Sequence, residues 1–163
     1  MPIVEKVGKK KIKHKGHFSM STVYNMAYDI LISMGYTVKE KKYKQVEGES
    51  KRLEIVWEAT KKVDDFTLFT LSIRYFLTTW MPKQKIQKEG ATITADFGDP
   101  EITVGYVLTR DYEGKWDRNP FLSLFLNFYK KYIYEKTYKN WQNKIVEEAG
   151  EFVSEHKRYF EMA

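Results

Sequence analysis

The sequence predicts an α+β fold: an N-terminal helix, a five- or six-stranded antiparallel meander sheet, and a long C-terminal helix packed on one sheet face. Three observations carry this reading. Apolar residues recur at three-and-four spacing from Met20 to Met34 and again after Pro120, and between residues 36 and 112 the repeat becomes two. Turn signals at Gly48-Glu49-Ser50, Asp64-Asp65, Glu89-Gly90 and Gly98-Asp99-Pro100 punctuate that middle stretch. With 163 residues, 42% hydrophobic and 16% aromatic, the chain is sized for one packed domain and too apolar for disorder.

The first helix is expected over residues 21–34. Ser19 or Ser21 can cap its free amides, Val23, Tyr24, Ala27, Ile30 and Leu31 share one face, and Gly35 can end it in the left-handed conformation. The strands lie within residues 36–112. Tyr36 to Val46 is Lys-rich and reads as an edge strand. Leu53, Ile55, Trp57 and Ala59 alternate with Glu54, Glu58 and Thr60, as in a strand with one wet face. Phe69, Leu71, Ile73, Tyr75 and Leu77 give the strongest strand, over Phe66 to Trp80, which Met81-Pro82 should interrupt because proline lacks a ladder amide. Short strands at 83–88 and 92–97 follow, then a loop at Gly98-Asp99-Pro100 and a last strand through Ile102, Val104, Tyr106 and Leu108.

Asn119-Pro120 opens the final helix, expected over residues 120–160. Ten of the fourteen residues from Phe121 to Tyr134 are apolar or aromatic, which leaves little room for a polar face. Unbroken, such a helix would run roughly 60 Å, about twice the width of a domain this size. Either Gly150 bends it or its charged tail projects.

Charge is distributed unevenly. Residues 1–52 hold 12 basic and 5 acidic side chains, residues 53–113 hold 7 and 10, and residues 114–163 hold 9 and 7, for a net charge of +6. Lys9, Lys10, Lys11, Lys13 and Lys15 crowd the amino end beside Lys6, His14 and His17. Like charges at this density stay in water unless an anion neutralises them, so residues 1–18 are expected as a flexible basic arm and residues 19–163 as the single domain. Nucleic-acid phosphate, an anionic surface or an acidic protein would each serve as counter-charge. Lysines outnumber arginines 23 to 5, which favours general attraction over base reading.

Chemistry-bearing motifs are few. There is no Cys, and hence neither a disulfide nor a thiolate site. Phosphate loops, nucleophile elbows and metalloprotease pairs are absent, and His14-x-x-His17 lacks a further metal ligand. Asp96, Asp99, Asp111, Glu113 and Asp117 cluster in turns, where aspartate bonds to nearby amides. No enzyme activity, cofactor or metal is expected. No apolar run suits a signal peptide or a spanning helix, and a soluble cytoplasmic protein is the default. The Lys and Glu content without Cys is compatible with a thermophilic source.

A helix apolar nearly all round must be buried all round, and one sheet face covers only one side of it. Phe121, Leu122, Phe125, Leu126, Tyr129 and Ile133 are therefore the expected interface, in a homo-oligomer or a larger protein assembly. In element order, residues 20–160 resemble the helix-grip proteins, although the strand and helix pair that usually open that family have no counterpart in the pattern. The resemblance implies a carrier of a small apolar ligand, with Trp57, Phe69, Ile73, Tyr106, Phe128 and Tyr132 lining the pocket. The expected order of roles is a non-enzymatic interaction subunit, then an apolar-ligand carrier, then non-specific nucleic-acid binding through the lysines.

Overall fold

The computed structural model describes residues 3–48, 51–88, 90–113, 120–129 and 135–162. In chain order these form β1 (Ile3–Lys13), β2 (Gly16–Phe18), α1 (Met20–Ser33), β3 (Thr37–Val46), β4 (Lys51–Lys62), β5 (Thr67–Lys88), β6 (Ala91–Arg110), α2 (Pro120–Tyr129) and α3 (Glu135–Met162). The six strands make one antiparallel sheet in the order β1-β6-β5-β4-β3, with the short β2 also on β6. The α+β class, the antiparallel sheet and a long C-terminal helix on the sheet are as the sequence predicts.

The helix α1 forms where its caps dictate. The Ser19 side chain accepts from the Thr22 amide, while Met20, Val23, Ala27 and Leu31 are buried. Gly35, at φ +91°, reverses the chain, and the Tyr36 amide returns to the Leu31 carbonyl. One face of the sheet packs beneath α1 and α3. Leu53, Ile55, Trp57 and Ala59 of β4, Phe69 to Leu77 in alternation on β5, and Ile102, Val104, Tyr106 and Leu108 of β6 are all buried there. The other face carries Glu54, Arg74 and Glu101 in water, as period-two alternation requires.

Four expectations are corrected. The basic stretch expected as an arm is β1 and β2: Ile3 to Lys13 pairs with Arg110 to Glu101, and Gly16 to Phe18 with Gly98 to Asp96. Past the register shift between Lys6 and Gly8, strand pleating sends Ile12 into the core and leaves Lys9, Lys11 and Lys13 exposed, so charge density concealed an alternating strand.

Met81-Pro82 does not interrupt β5. The strand absorbs the proline with register shifts between Leu77 and Trp80 and between Met81 and Gln84, and bulges are where a strand tolerates a missing amide. Gly98-Asp99-Pro100 likewise lies inside β6, not in a loop. Asp99 accepts from the Thr79 amide at 2.9 Å and from the Thr78 hydroxyl, and an added Cβ on Gly98 would sit 2.5 Å from the Thr79 carbonyl oxygen. Thus the five or six strands expected within residues 36–112 and the six observed, which include β1 and β2, are different sets.

The helix expected over 120–160 is seen as α2 and α3, with residues 130–134 outside the described residues. Its charged tail does not project, and α3 runs unbroken through Gly150. Ile145, Ala149, Phe152, Val153, His156 and Phe160 recur at three-and-four spacing, and this stripe is buried against the sheet. The amphipathic tail packs, while on the more apolar α2 Phe121, Leu124, Phe125 and Phe128 are exposed.

Candidate functional site

On α2, Phe121 is 80% exposed, Leu124 71%, Phe125 50% and Phe128 55%. Their positions follow i, i+3, i+4, i+7, which places all four on one helix face. Pro120 occupies the first helical position, where its missing amide costs no hydrogen bond. At ~200 Å² per large side chain, this face exposes roughly 500 Å² of apolar surface, the size of patch that marks interaction sites. Phe121 and Phe125 are expected interface residues. Leu124 was missed, although helical spacing from Phe121 and Phe128 points to it. The side chains of Leu122, Leu126 and Tyr129, and Ile133 entirely, lie outside the described residues.

Of the residues expected to line an apolar pocket, Trp57, Phe69, Ile73 and Tyr106 are at most 7% exposed and belong to the packed core. Trp57 packs edge-on to Tyr24 at 4.8 Å and to Tyr75 at 5.7 Å, and Phe69 edge-on to Trp141 at 5.7 Å. Phe128 stands on α2 and is exposed, while Tyr132 lies outside the described residues. A cleft of about 600 Å³ opens elsewhere, between the start of α1 and the outer halves of β3 to β6.

The lysines separate. Lys9, Lys11, Lys13 and Lys15 are exposed, whereas Lys10 lies over α3 near Gly150. Lys11 pairs with Glu101 at 2.7 Å, and on the same sheet face Glu54 takes Lys42 at 3.0 Å and Arg74 at 3.5 Å. The hydrogen bond from Lys42 holds the Glu54 carboxyl below its ordinary range, and that from Lys11 does the same for Glu101. His14 stacks on Phe160 at 4.6 Å and His17 meets Phe97 edge-on at 5.1 Å, so they do not converge on one point. Among the described residues, no three His, Asp or Glu side chains gather closely enough to hold a metal ion. No described helix is long and apolar enough to cross a membrane.

Two buried polar clusters escaped sequence reasoning. His156 has no exposure at all; its Nδ1–H donates to the Phe152 carbonyl at 2.8 Å, which leaves Nε2 to accept from the Tyr75 hydroxyl at 2.8 Å. Burial drives the His156 pKa down to about 4 and raises that of Tyr75 well above normal. Second, Glu148 accepts from the Tyr36 hydroxyl at 2.6 Å and from Lys61, whose ammonium also reaches the Met34 carbonyl at 3.0 Å. Burial and the Glu148 carboxylate push the Tyr36 hydroxyl far up. Both clusters are internally satisfied and tie α3 to the sheet side of the core; the first is sealed from water, and in the second Lys61 keeps part of its side chain exposed. Asp96 and Asp99, expected in turns, lie instead within β6 and bond to distant backbone: Asp96 accepts from the Met20 and Lys83 amides and Asp99 from the Thr79 amide, while Asp117 lies outside the described residues.

Comparison with protein-family models, curated proteins and solved structures finds no match to this chain.

Proposed function

We propose that this protein is a non-enzymatic interaction module that joins a second copy of itself through the exposed face of α2. The observation that supports this reading is the exposure of Phe121, Leu124, Phe125 and Phe128, which share one helix face. Two such faces together would bury roughly 1,000 Å², the lower bound for a specific interface. A helix meeting its own copy across a two-fold axis is self-complementary without any further device. The rest of the molecule suits a rigid support, because α3 and the sheet share one packed core that fixes the base from which α2 is displayed. The exposed lysines of β1 keep the chain positively charged and disfavour indiscriminate stacking of copies through that edge.

Sedimentation equilibrium tests the reading. The unaltered chain should associate at micromolar concentration, and the Phe121→Ser/Phe125→Ser variant should remain monomeric while keeping its circular-dichroism spectrum and a cooperative unfolding transition. A wild-type monomer across that range refutes it.

A further inference from the structure

We infer that the β5–β6 hairpin beyond Trp80 is an arm that enters the major groove of duplex DNA, while basic side chains on either side of its base take the flanking phosphates. This inference stands apart from the α2 reading, since no residue of α2 takes part.

The hairpin outruns the sheet. Pairing of β4 with β5 ends at Lys51 opposite Trp80, and pairing of β2 with β6 ends at Phe18 opposite Asp96. Beyond that level β5 and β6 continue alone, in register from Gln84 opposite Ala95 to Lys88 opposite Ala91. These five pairs extend ~17 Å at the usual strand rise. Along them burial no longer alternates: Lys83, Gln84 and Lys85, and Ala91 to Thr94, are all exposed, so water reaches both faces.

A free two-stranded ribbon is marginal in water and needs a mount. Asp96 provides it. One of its carboxylate oxygens accepts the Lys83 amide at 3.0 Å, and the other accepts the Met20 amide at the start of α1 at 2.8 Å. Lys83 itself takes φ +57° at a register shift, and bulges of this kind re-aim a strand. The ribbon therefore leaves the body in a set direction.

Charge and size together name the partner. From Met81 to Ala95 the chain carries Lys83, Lys85 and Lys88 against Glu89 alone. Gln84, Lys85, Thr92 and Thr94 are of the types that match base edges, through amide, ammonium, hydroxyl and methyl groups. Where the ribbon leaves the sheet, Gly16, Gly98, Trp80 and Lys51 stand in one row across β2, β6, β5 and β4. Lys51 is held by Glu47 at 3.9 Å. Lys15 at one end of the row and Arg52 at the other are exposed and make no ion pair among the described residues. Three strand spacings put their strands ~14 Å apart, close to the ~12 Å major groove of B-DNA, which admits a two-stranded ribbon. Duplex RNA, whose major groove is deep and narrow, would engage the two cations but exclude the arm.

Fluorescence anisotropy of the full chain provides the test, with a duplex DNA of about 20 base pairs and with duplex RNA and single-stranded DNA of the same sequence. Duplex DNA should bind about tenfold more tightly than either. Replacing residues 86–93 by Asn-Gly closes a two-residue turn between the register partners Lys85 and Thr94. Net charge is unchanged, because Lys88 and Glu89 leave together. This shortened chain should keep its cooperative unfolding and lose about tenfold in affinity for duplex DNA. Lys15→Gln/Arg52→Gln should keep the preference for duplex DNA and lower the salt slope by about two, one for each phosphate released. The inference fails if duplex DNA does not bind, if duplex RNA binds equally well, or if the shortened arm binds as tightly as the full one, which would leave only general attraction to lysines.

Discussion

The Tyr75 hydroxyl of β5 donates to His156 Nε2 of α3 at 2.8 Å, with both side chains sealed from water. The bond joins the central part of the sheet to the C-terminal helix and holds the imidazole neutral. The folded pKa of His156 is about 4 against an ordinary 6.5, so the unfolded chain takes up the proton first as pH falls. The stability this contributes is whole above pH 6.5 and is lost between 6.5 and about 4, reaching roughly 3 kcal/mol. Urea midpoints measured through that window should fall steeply for the wild type and less steeply for His156→Gln. Parallel profiles would show that another group governs acid sensitivity.

Glu148 anchors the second cluster, with Lys61 and Tyr36 both donating to it. Glu148→Ala strands a partly buried ammonium and a hydroxyl together, and should cost about 3 kcal/mol in urea unfolding. Lys61→Met with Glu148→Leu removes the charges as a pair and should recover most of that loss. Equal destabilisation in the single and double variants would mean that the pair itself, and not the stranded ammonium, dominates.

Gly8 marks the register shift of β1 against β6, and Tyr106 lies directly over it. A Cβ at Gly8 would sit 2.5 Å from the Tyr106 Cζ, so Gly8→Ala should destabilise by about 1–3 kcal/mol through overpacking. In a Tyr106→Leu background the same change should cost much less, because the ring it strikes is gone. Additive costs in thermal denaturation would locate the strain in the backbone instead.

The inner faces of β4, β5 and β6 were legible because strict alternation is a local property: Leu53 to Ala59, Phe69 to Leu77 and Ile102 to Leu108 are buried as their spacing demands. β1 was hidden because six lysines within ten residues outweigh the alternation of Val7 with Ile12 across a register shift, which no local pattern records. Met81-Pro82 and Gly98-Asp99-Pro100 read as breaks because a neighbouring strand's bulge, a long-range feature, makes room for them. The apolar helix after Asn119 was legible as a helix with surplus surface. That the α3 stripe from Ile145 to Phe160 covers the sheet was not, since the total apolarity of the segment after Asn119 drew attention away from it. The cleft was illegible altogether, because it depends on the tertiary link from Asp96 to Met20.

The α2 reading also predicts where stability will change little. Phe121 and Phe125 are half or more exposed, so the double serine variant should lose no more than about 2 kcal/mol relative to the wild type when both are monomeric at high dilution. A loss of several kcal/mol would mean that α2 packs on its own chain.

The chain has no cysteine, so one thiol can be introduced alone, and Leu124→Cys places it in the middle of the exposed face of α2. Mild oxidation at micromolar concentration tests the central claim most directly, with Val46→Cys, on the edge strand β3, as the comparison. The account predicts rapid conversion of Leu124→Cys to a disulfide-linked dimer that is suppressed by adding Phe121→Ser and Phe125→Ser, while Val46→Cys links slowly. Equal, slow linkage at both positions would contradict it.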